Sequence, residues 1–236
     1  MKASLLRIPF TLSVVWAVHM TTTPPQAPAK PHERVGPIGP EVSLLPVLLK
    51  AGSWTISLVE TSVVCASLYP SNSLSRYIMA AFLHSSATPN GLRVTWMSVF
   101  AWILTLVGAL GRQSCYRTMQ EMFTFELSLR KDHRLVTSGL YSIVRHPSYI
   151  MAELALYGAL TFYVMPGSWV TECSGLFRRS NNGLFLAVCW LVASVPSVFF
   201  LKSRLDKEDA MLKEHFGAEW EAWATRVPFR LFPGLY

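Results

Sequence analysis

Long apolar stretches alternate with short polar ones along this chain. Several of the apolar stretches approach the roughly 20 residues needed to cross a bilayer core. Residues 92–111, LRVTWMSVFAWILTLVGALG, form the clearest one. Residues 51–69, 147–165 and 183–201 are comparable; the first contains Glu60, the second begins at Pro147 and the third carries Pro196, a candidate kink. Residues 3–20, with Lys2 and Arg7 ahead of an apolar run ending near His19, read as a further membrane helix rather than a signal peptide, because no good small-residue cleavage site follows. Residues 70–91 are mixed, with Arg76, His84 and the turn signal Pro89-Asn90-Gly91. The pattern predicts about five spans. With residues 1–20 and 70–91 open to either reading, the count runs from four to six.

The polar segments set orientation. Residues 21–40 are Pro-rich and read as an extended linker. Residues 112–146 carry Arg112, Arg117, Arg130, Lys131, Arg134 and Arg145, which makes that segment cytosolic by the positive-inside rule. Lys202 and Arg204 bring the chain back to the same side after the loop at Pro166-Gly167 and Asn181-Asn182-Gly183. Five spans would then put the N-terminus in the lumen, against which Lys2 and Arg7 argue. In the tail, Leu212, Phe216, Trp220, Trp223 and Val227 recur at three- and four-residue steps, with Lys213, Glu214, Glu219 and Glu221 on the other face. This is an amphipathic helix, either lying on the membrane with its tryptophans at headgroup depth or packed on the protein's own core. Pro228 and Pro233 end it.

The expected fold is therefore an all-α integral membrane protein, a multi-span helical bundle with a cytosolic amphipathic C-terminal helix. Residues 1–91 would supply N-terminal spans and the linker. Residues 92–236 would form the core, with spans 92–111, 147–165 and 183–201 joined to the cytosolic segments 112–146 and 202–236.

Composition supports the membrane reading. Of 236 residues, 51% are hydrophobic and 15% charged, against about 25% charged in soluble domains; the mean hydropathy is +0.33. The net charge of +7 lies in short segments beside apolar runs, which suits anionic lipid headgroups. No basic patch with interleaved aromatics forms a nucleic-acid module, so no nucleic-acid partner is expected. Cys65, Cys115, Cys173 and Cys189 have no metal-ligand spacing, so no metal site is expected; Cys65 and Cys189, inside apolar runs, read as small core residues.

Chemistry concentrates in two places. In Arg145-His146-Pro147-Ser148-Tyr149, proline marks the first helical position, and the free backbone N–H groups there can receive an anion. His146 would stand at the mouth, Tyr149 one turn in, and the turn Thr137-Ser138-Gly139 would bring Leu135, Val136 and Tyr141 near the same place. This is either a pocket for a ligand with a carboxylate and a flat or cationic part, or simply an interfacial helix start. Arg204 and Glu208, four apart, share a helix face at the end of a span. They are either a surface ion pair or a carboxylate clamp with an acid for an amine, a ribose hydroxyl or a sulfonium ligand. Glu153 follows His146 and Tyr149 on one face, lining a site or bonding a neighbouring helix.

The stretch HRLVTSGLYSIVRHPSY, His133 to Tyr149, resembles the cofactor segment of the isoprenylcysteine carboxyl methyltransferases. The tail is similar to that family's ending, with Arg204, the paired acids Glu208 and Asp209, and HFGAEWEAWATRVP from His215 to Pro228. The resemblance covers roughly residues 92–233; its His-Pro-x-Tyr part is shared with a wider set of membrane methyltransferases. It implies S-adenosylmethionine as methyl donor, contacted by Glu126, His133, Arg134, Leu135, Val136, Tyr141, His146, Pro147, Ser148, Tyr149 and Glu208. Glu126 stands where animal members have Gln. It implies Arg204 and Glu208 as the catalytic pair, with Arg204 binding the acceptor carboxylate. The implied reaction is methyl esterification of the C-terminal carboxylate of a prenylated cysteine in CaaX-processed proteins, at the endoplasmic reticulum membrane and on its cytosolic face. The family usually has Gly two residues after the motif Tyr; here Met151 would narrow the cofactor cleft or the acceptor's way in. Two other classes stay open: a phospholipid or small-lipid methyltransferase using the same pocket, and a non-catalytic membrane scaffold. The sterol reductases, which use nicotinamide, share part of the tail pattern.

Overall fold

A computed structural model describes residues 5–35, 39–85, 87–130, 133–176 and 182–235. Lys2, Lys131, Asn181 and the side chain of Pro196 lie outside the described residues. Among the described residues the chain is helical, with no strand beyond an isolated bridge between Arg34 and Ser128. The helices are α1 (Arg7–Thr21), α2 (Pro40–Ser43), α3 (Leu45–Leu68), α4 (Ser73–Phe82), α5 (Trp96–Met119), α6 (Pro147–Val164), α7 (Trp169–Glu172), α8 (Asn182–Phe216) and α9 (Ala218–Arg226).

Local chemistry sets their ends. Thr95 and Ser98 cap α5 reciprocally: the Ser98 N–H donates to Thr95 Oγ1 at 3.1 Å, and the Thr95 N–H donates to Ser98 Oγ at 2.8 Å. Pro147 occupies the first position of α6. Gly217, at φ +52°, breaks α8 from α9 where a side chain would be strained.

The core is built by close approach of α5 and α6. A Cβ at Gly108 would sit 2.4 Å from Ala155 N, and one at Gly158 would sit 2.6 Å from Thr105 N. Small residues at such crossings are how helices pack in lipid, where the hydrophobic effect no longer drives them together. α1 joins this pair through Val14, Val18, Ala101, Ala159 and Phe162.

Every stretch predicted to span contains a helix. Among the described residues three helices are long and apolar enough to cross a membrane: Leu45–Leu68, Pro147–Glu172 (α6 with α7) and Val188–Phe216. At 15 residues, α1 rises only about 22 Å, and α4, at ten residues, about 15 Å, so residues 70–91 hold no further span.

Three expectations change. The last span does not stop at residue 201. α8 runs on to Phe216, so half of the expected tail helix is an extension of a membrane helix, and α9 alone is separate. Arg7 is not a flanking surface charge. It is fully buried and donates to Glu60 at 2.8 Å and to the Phe162 carbonyl at 3.3 Å, with its guanidinium 4.1 Å from the Phe162 ring centre. Glu60 also accepts from Thr11 and from the Trp169 N–H, so this acid ties α1, α3 and α7 together. Cys65 is exposed on α3, not in the core; an apolar face turned to lipid needs no protein cover.

Candidate active site

A cavity of about 590 Å³ lies between the start of α6, the middle of α8 and the segment joining α5 to α6. One end is polar. The other runs between apolar side chains of α3, α6 and α8, including Leu49, Leu156, Leu160, Phe200 and Leu201.

The polar end is organised around the first turn of α6. Tyr149 donates its hydroxyl proton to Glu208 Oε2 at 2.6 Å and accepts from Arg204 Nε at 2.7 Å. The expected one-face pair thus converges on a single hydroxyl. A second Arg204 nitrogen donates to the Phe125 carbonyl. Arg204 and Glu208 come from successive turns of α8, and Tyr149 reaches them from α6, so the two distant motifs meet at one point.

His146 stands behind this turn and is 3% exposed, not at an open mouth. Its Nε2 lies 2.9 Å from Asp209 Oδ1, and its Nδ1 3.7 Å from Glu208 Oε1. Burial alone would lower its pKa, but the Asp209 and Glu208 carboxylates outweigh that and push it up to about 9. At neutral pH His146 is an imidazolium that donates; it is not a free base. Asp209 also takes Arg145 at 3.3 Å and Arg230 Nε at 3.0 Å. Arg145 donates to the Val227 and Pro228 carbonyls at 3.0 and 2.9 Å, and the backbone N–H groups of Arg145 and His146 donate to Phe229 and Arg230. The C-terminal tail is therefore clamped onto the start of α6.

The other candidates line the cavity from the connecting segment: Glu126, His133, Arg134, Leu135 and Val136, with Tyr141 and then Ser148. Arg134 is exposed; Tyr141 is buried. Burial and the neighbouring His215 lower the His133 pKa, so its ring is neutral, and its Nδ1 is buried without a partner among the described residues. Pro147 is buried but off the cavity wall; it starts α6 rather than facing a ligand. Glu153 lines the cavity, with Ser197 of α8 and the Arg112 guanidinium both acting on its carboxyl, so it faces the site and a neighbouring helix at once.

Met151 does not narrow the cavity, whose wall it does not join. It turns toward α5, where a Cβ on Gly111 would sit 2.5 Å from its Sδ. The bulk expected in the cleft fills the space opposite a glycine. In the tail, Trp223 is 2% exposed and packs with Cys115, Tyr141 and Val227, so α9 lies on the protein's own core.

Sequence reasoning left out Asp209 and Arg112 as site residues. Asp209 was visible as half of an acid pair. Arg112 sits at the end of an apolar run, where it read as one of several topogenic charges, yet it is 9% exposed and lines the cavity.

Residues 101–171 match the model of the isoprenylcysteine carboxyl methyltransferase (ICMT) family. The chain is 30% identical over 135 residues to protein-S-isoprenylcysteine O-methyltransferase B of Arabidopsis thaliana, covering 56% of this chain and 58% of that protein. It is 28% identical over 148 residues to protein-S-isoprenylcysteine O-methyltransferase of Xenopus laevis, covering 62% and 44%. For the Homo sapiens protein of the same name the figures are 27% over 142 residues, 59% and 43%. The chain spans about half the length of the curated relatives it matches.

Proposed function

We propose, from this chain's similarity to the isoprenylcysteine carboxyl methyltransferase family, that it is a member and methylates the C-terminal carboxylate of prenylated cysteine with S-adenosylmethionine as donor. The observation that carries this is the Arg204–Tyr149–Glu208 junction at the polar end of a cavity whose other end is apolar. An acceptor that is a carboxylate at one end and a prenyl chain at the other has the same polarity. Each CH₂ moved out of water contributes about 0.8 kcal/mol, so such an acceptor already resides in lipid. The apolar end, between α3, α6 and α8, supplies a lateral way in.

When bound, the donor supplies a sulfonium methyl group as electrophile. The residues present fit it. Glu208 presents a carboxylate for a cationic or hydroxylated ligand, the Tyr149 ring favours a sulfonium, and the orphaned His133 Nδ1 awaits a polar group. A carboxylate is already nucleophilic at neutral pH, so no base is required. That suits a site whose His146 is held charged by Asp209 and Glu208. Arg204, fixed by Tyr149 and Phe125, orients the acceptor, whose carboxylate sheds its water as it enters the cavity.

The same reading puts the basic segment 112–146 on the cytosolic side of the endoplasmic reticulum membrane. It also puts α1 and α5 in the bilayer beside the three described helices that qualify by both length and hydropathy. The exposed Phe100, Ile103, Val107 and Leu110 run along α5 as a stripe suited to lipid. Transfer of labelled methyl from S-adenosylmethionine to N-acetyl-S-farnesylcysteine by the purified protein in lipid tests the proposal. Base-labile label on the wild type, lost in Arg204→Ala and His146→Ala, is the expected result. Donor binding with transfer only to lipid amines, or no donor binding at all, would overturn it.

A further inference from the structure

We infer that Arg112, about two turns before the end of α5, anchors the α-carboxylate of the methyl donor; this rests on the methyl-transfer reading above. The proposed reaction brings two carboxylates into one cavity, that of the acceptor and that of the donor's amino-acid part. Each needs a cation in surroundings of low dielectric. Arg204 is given to the acceptor.

The other cations of the cavity wall are mostly committed. Arg145 and His146 are held by Asp209, and Arg145 also serves the tail carbonyls. Arg134 is exposed, where water and salt weaken a single contact. Arg112 differs. It is nine-tenths buried and lines the cavity. Its Nε donates to the Thr21 carbonyl at 3.1 Å and to the Tyr116 hydroxyl at 2.7 Å. Its Nη1 donates to the Ser148 carbonyl and Oγ at 2.9 and 3.0 Å. The guanidinium carbon lies 5.3, 5.6 and 5.1 Å from the ring centres of Tyr116, Phe123 and Phe125. All these partners are neutral, and Nη2 has no hydrogen-bond partner among the described residues. Glu153, the acid sharing this wall, feels the Arg112 charge but makes no hydrogen bond or ion pair with it among the described residues.

A buried guanidinium with neutral partners and a spare donor is a costly way to tie α1, α5 and α6 together. The cost is relieved when an anion arrives. Placement decides which anion. Arg112 grips Ser148, within the segment that resembles the family's donor site, whereas Arg204 grips the Tyr149 hydroxyl one residue on.

The test is binding, without acceptor. Dissociation constants of S-adenosylmethionine and its decarboxylated analogue are measured calorimetrically for the protein in lipid nanodiscs. The wild type is expected to prefer the carboxylated form by roughly 10- to 100-fold, the range for a hydrogen bond to a charged group. Arg112→Gln is expected to bring the preference near unity, Arg112→Lys to keep part of it, and Arg117→Gln, at an exposed arginine of α5 off the cavity wall, to leave it. Because the carboxylate is first deleted from the ligand, the wild type alone tests the idea even if a variant fails to fold. Equal wild-type affinities, or a preference that survives Arg112→Gln, overturn the assignment while leaving methyl transfer intact. Binding of neither form overturns the methyltransferase reading and this inference with it.

Discussion

Asp209→Asn removes the one carboxylate that faces three cations, Arg145, His146 and Arg230, at 3.3, 2.9 and 3.0 Å. Breaking a buried pair by removing one partner costs about 3–5 kcal/mol, because the remaining charge is left without compensation. A pH signature separates this from ordinary loss of packing. The folded pKa of His146 is raised from 6.5 to about 9, at about 1.4 kcal/mol per unit, so its charged form contributes roughly 3 kcal/mol. For a group with a raised folded pKa, that contribution is complete below pH 6.5. It fades as pH climbs through 9. The wild type should therefore lose about 3 kcal/mol between pH 6 and pH 9.5 from this residue. In Asp209→Asn only Glu208, at 3.7 Å, still favours the imidazolium, so most of that slope should vanish. Reversible unfolding in mixed micelles, followed by far-UV circular dichroism at several pH values, reads both effects, and the wild-type-minus-variant difference cancels the other titrating groups. A variant that keeps the wild-type slope, or that loses less than about 1 kcal/mol at pH 6, would refute the reasoning.

Three further outcomes follow from particular contacts. Tyr149→Phe removes the hydroxyl between Arg204 and Glu208. It should cost about 1.5–3 kcal/mol in thermal unfolding, the worth of a hydrogen bond to a charged group, and lower kcat/KM by roughly 10- to 100-fold in protein that is still folded. Gly111→Ala drives a Cβ against Met151 Sδ; it should cost about 1–3 kcal/mol by overpacking. Met151→Ala in that background should recover part of the loss, as a denaturation double-mutant cycle would register. Trp223→Ala empties the cluster beneath Tyr141, Leu135 and Val136. It should cost about 3–5 kcal/mol and weaken donor binding measured by calorimetry.

Much of the fold is written in the hydrophobic pattern, since the five apolar stretches all became helices. The tail was harder to read. Its three- and four-residue period is the same whether a helix lies on lipid or on protein, and only the burial of Trp223 separates the two. The boundary between span and tail was invisible for a related reason. Leu205 and Met211 keep the helical period across the supposed junction, so α8 runs through, and the real break is the glycine at 217. In the site, the motif segments declared their residues, but their pairing was not legible. Arg204 and Glu208 looked like partners of each other, while the hydroxyl that joins them comes from 55 residues and 59 residues away. Arg7 and Arg112 were misread together. A charge at the edge of an apolar run has the same appearance in sequence whether it snorkels to headgroups or turns inward.

Met151 bears on the choice between an enzyme and an inert scaffold. A long side chain here, where the resemblance leads one to expect Gly, would narrow the cofactor cleft or the acceptor's way in if it shared the face that carries the site. Helical geometry argues otherwise. Residue 151 is two positions past Tyr149, about 200° around α6, so the two side chains point to nearly opposite faces. Tyr149 faces α8 and the cavity, and residue 151 faces α5. Gly111 and Gly108 let α5 approach α6, and the methionine fills what Gly111 leaves. The polar junction of Arg204, Tyr149 and Glu208 stands apart from this contact. Ablating activity through Met151 would therefore require moving α6 as a whole. Gly108→Ala, whose Cβ would sit 2.4 Å from Ala155 N and 2.6 Å from the Met151 carbonyl oxygen, applies that displacement, and a fall in methyl transfer out of proportion to its loss of stability would show the junction to be sensitive to it.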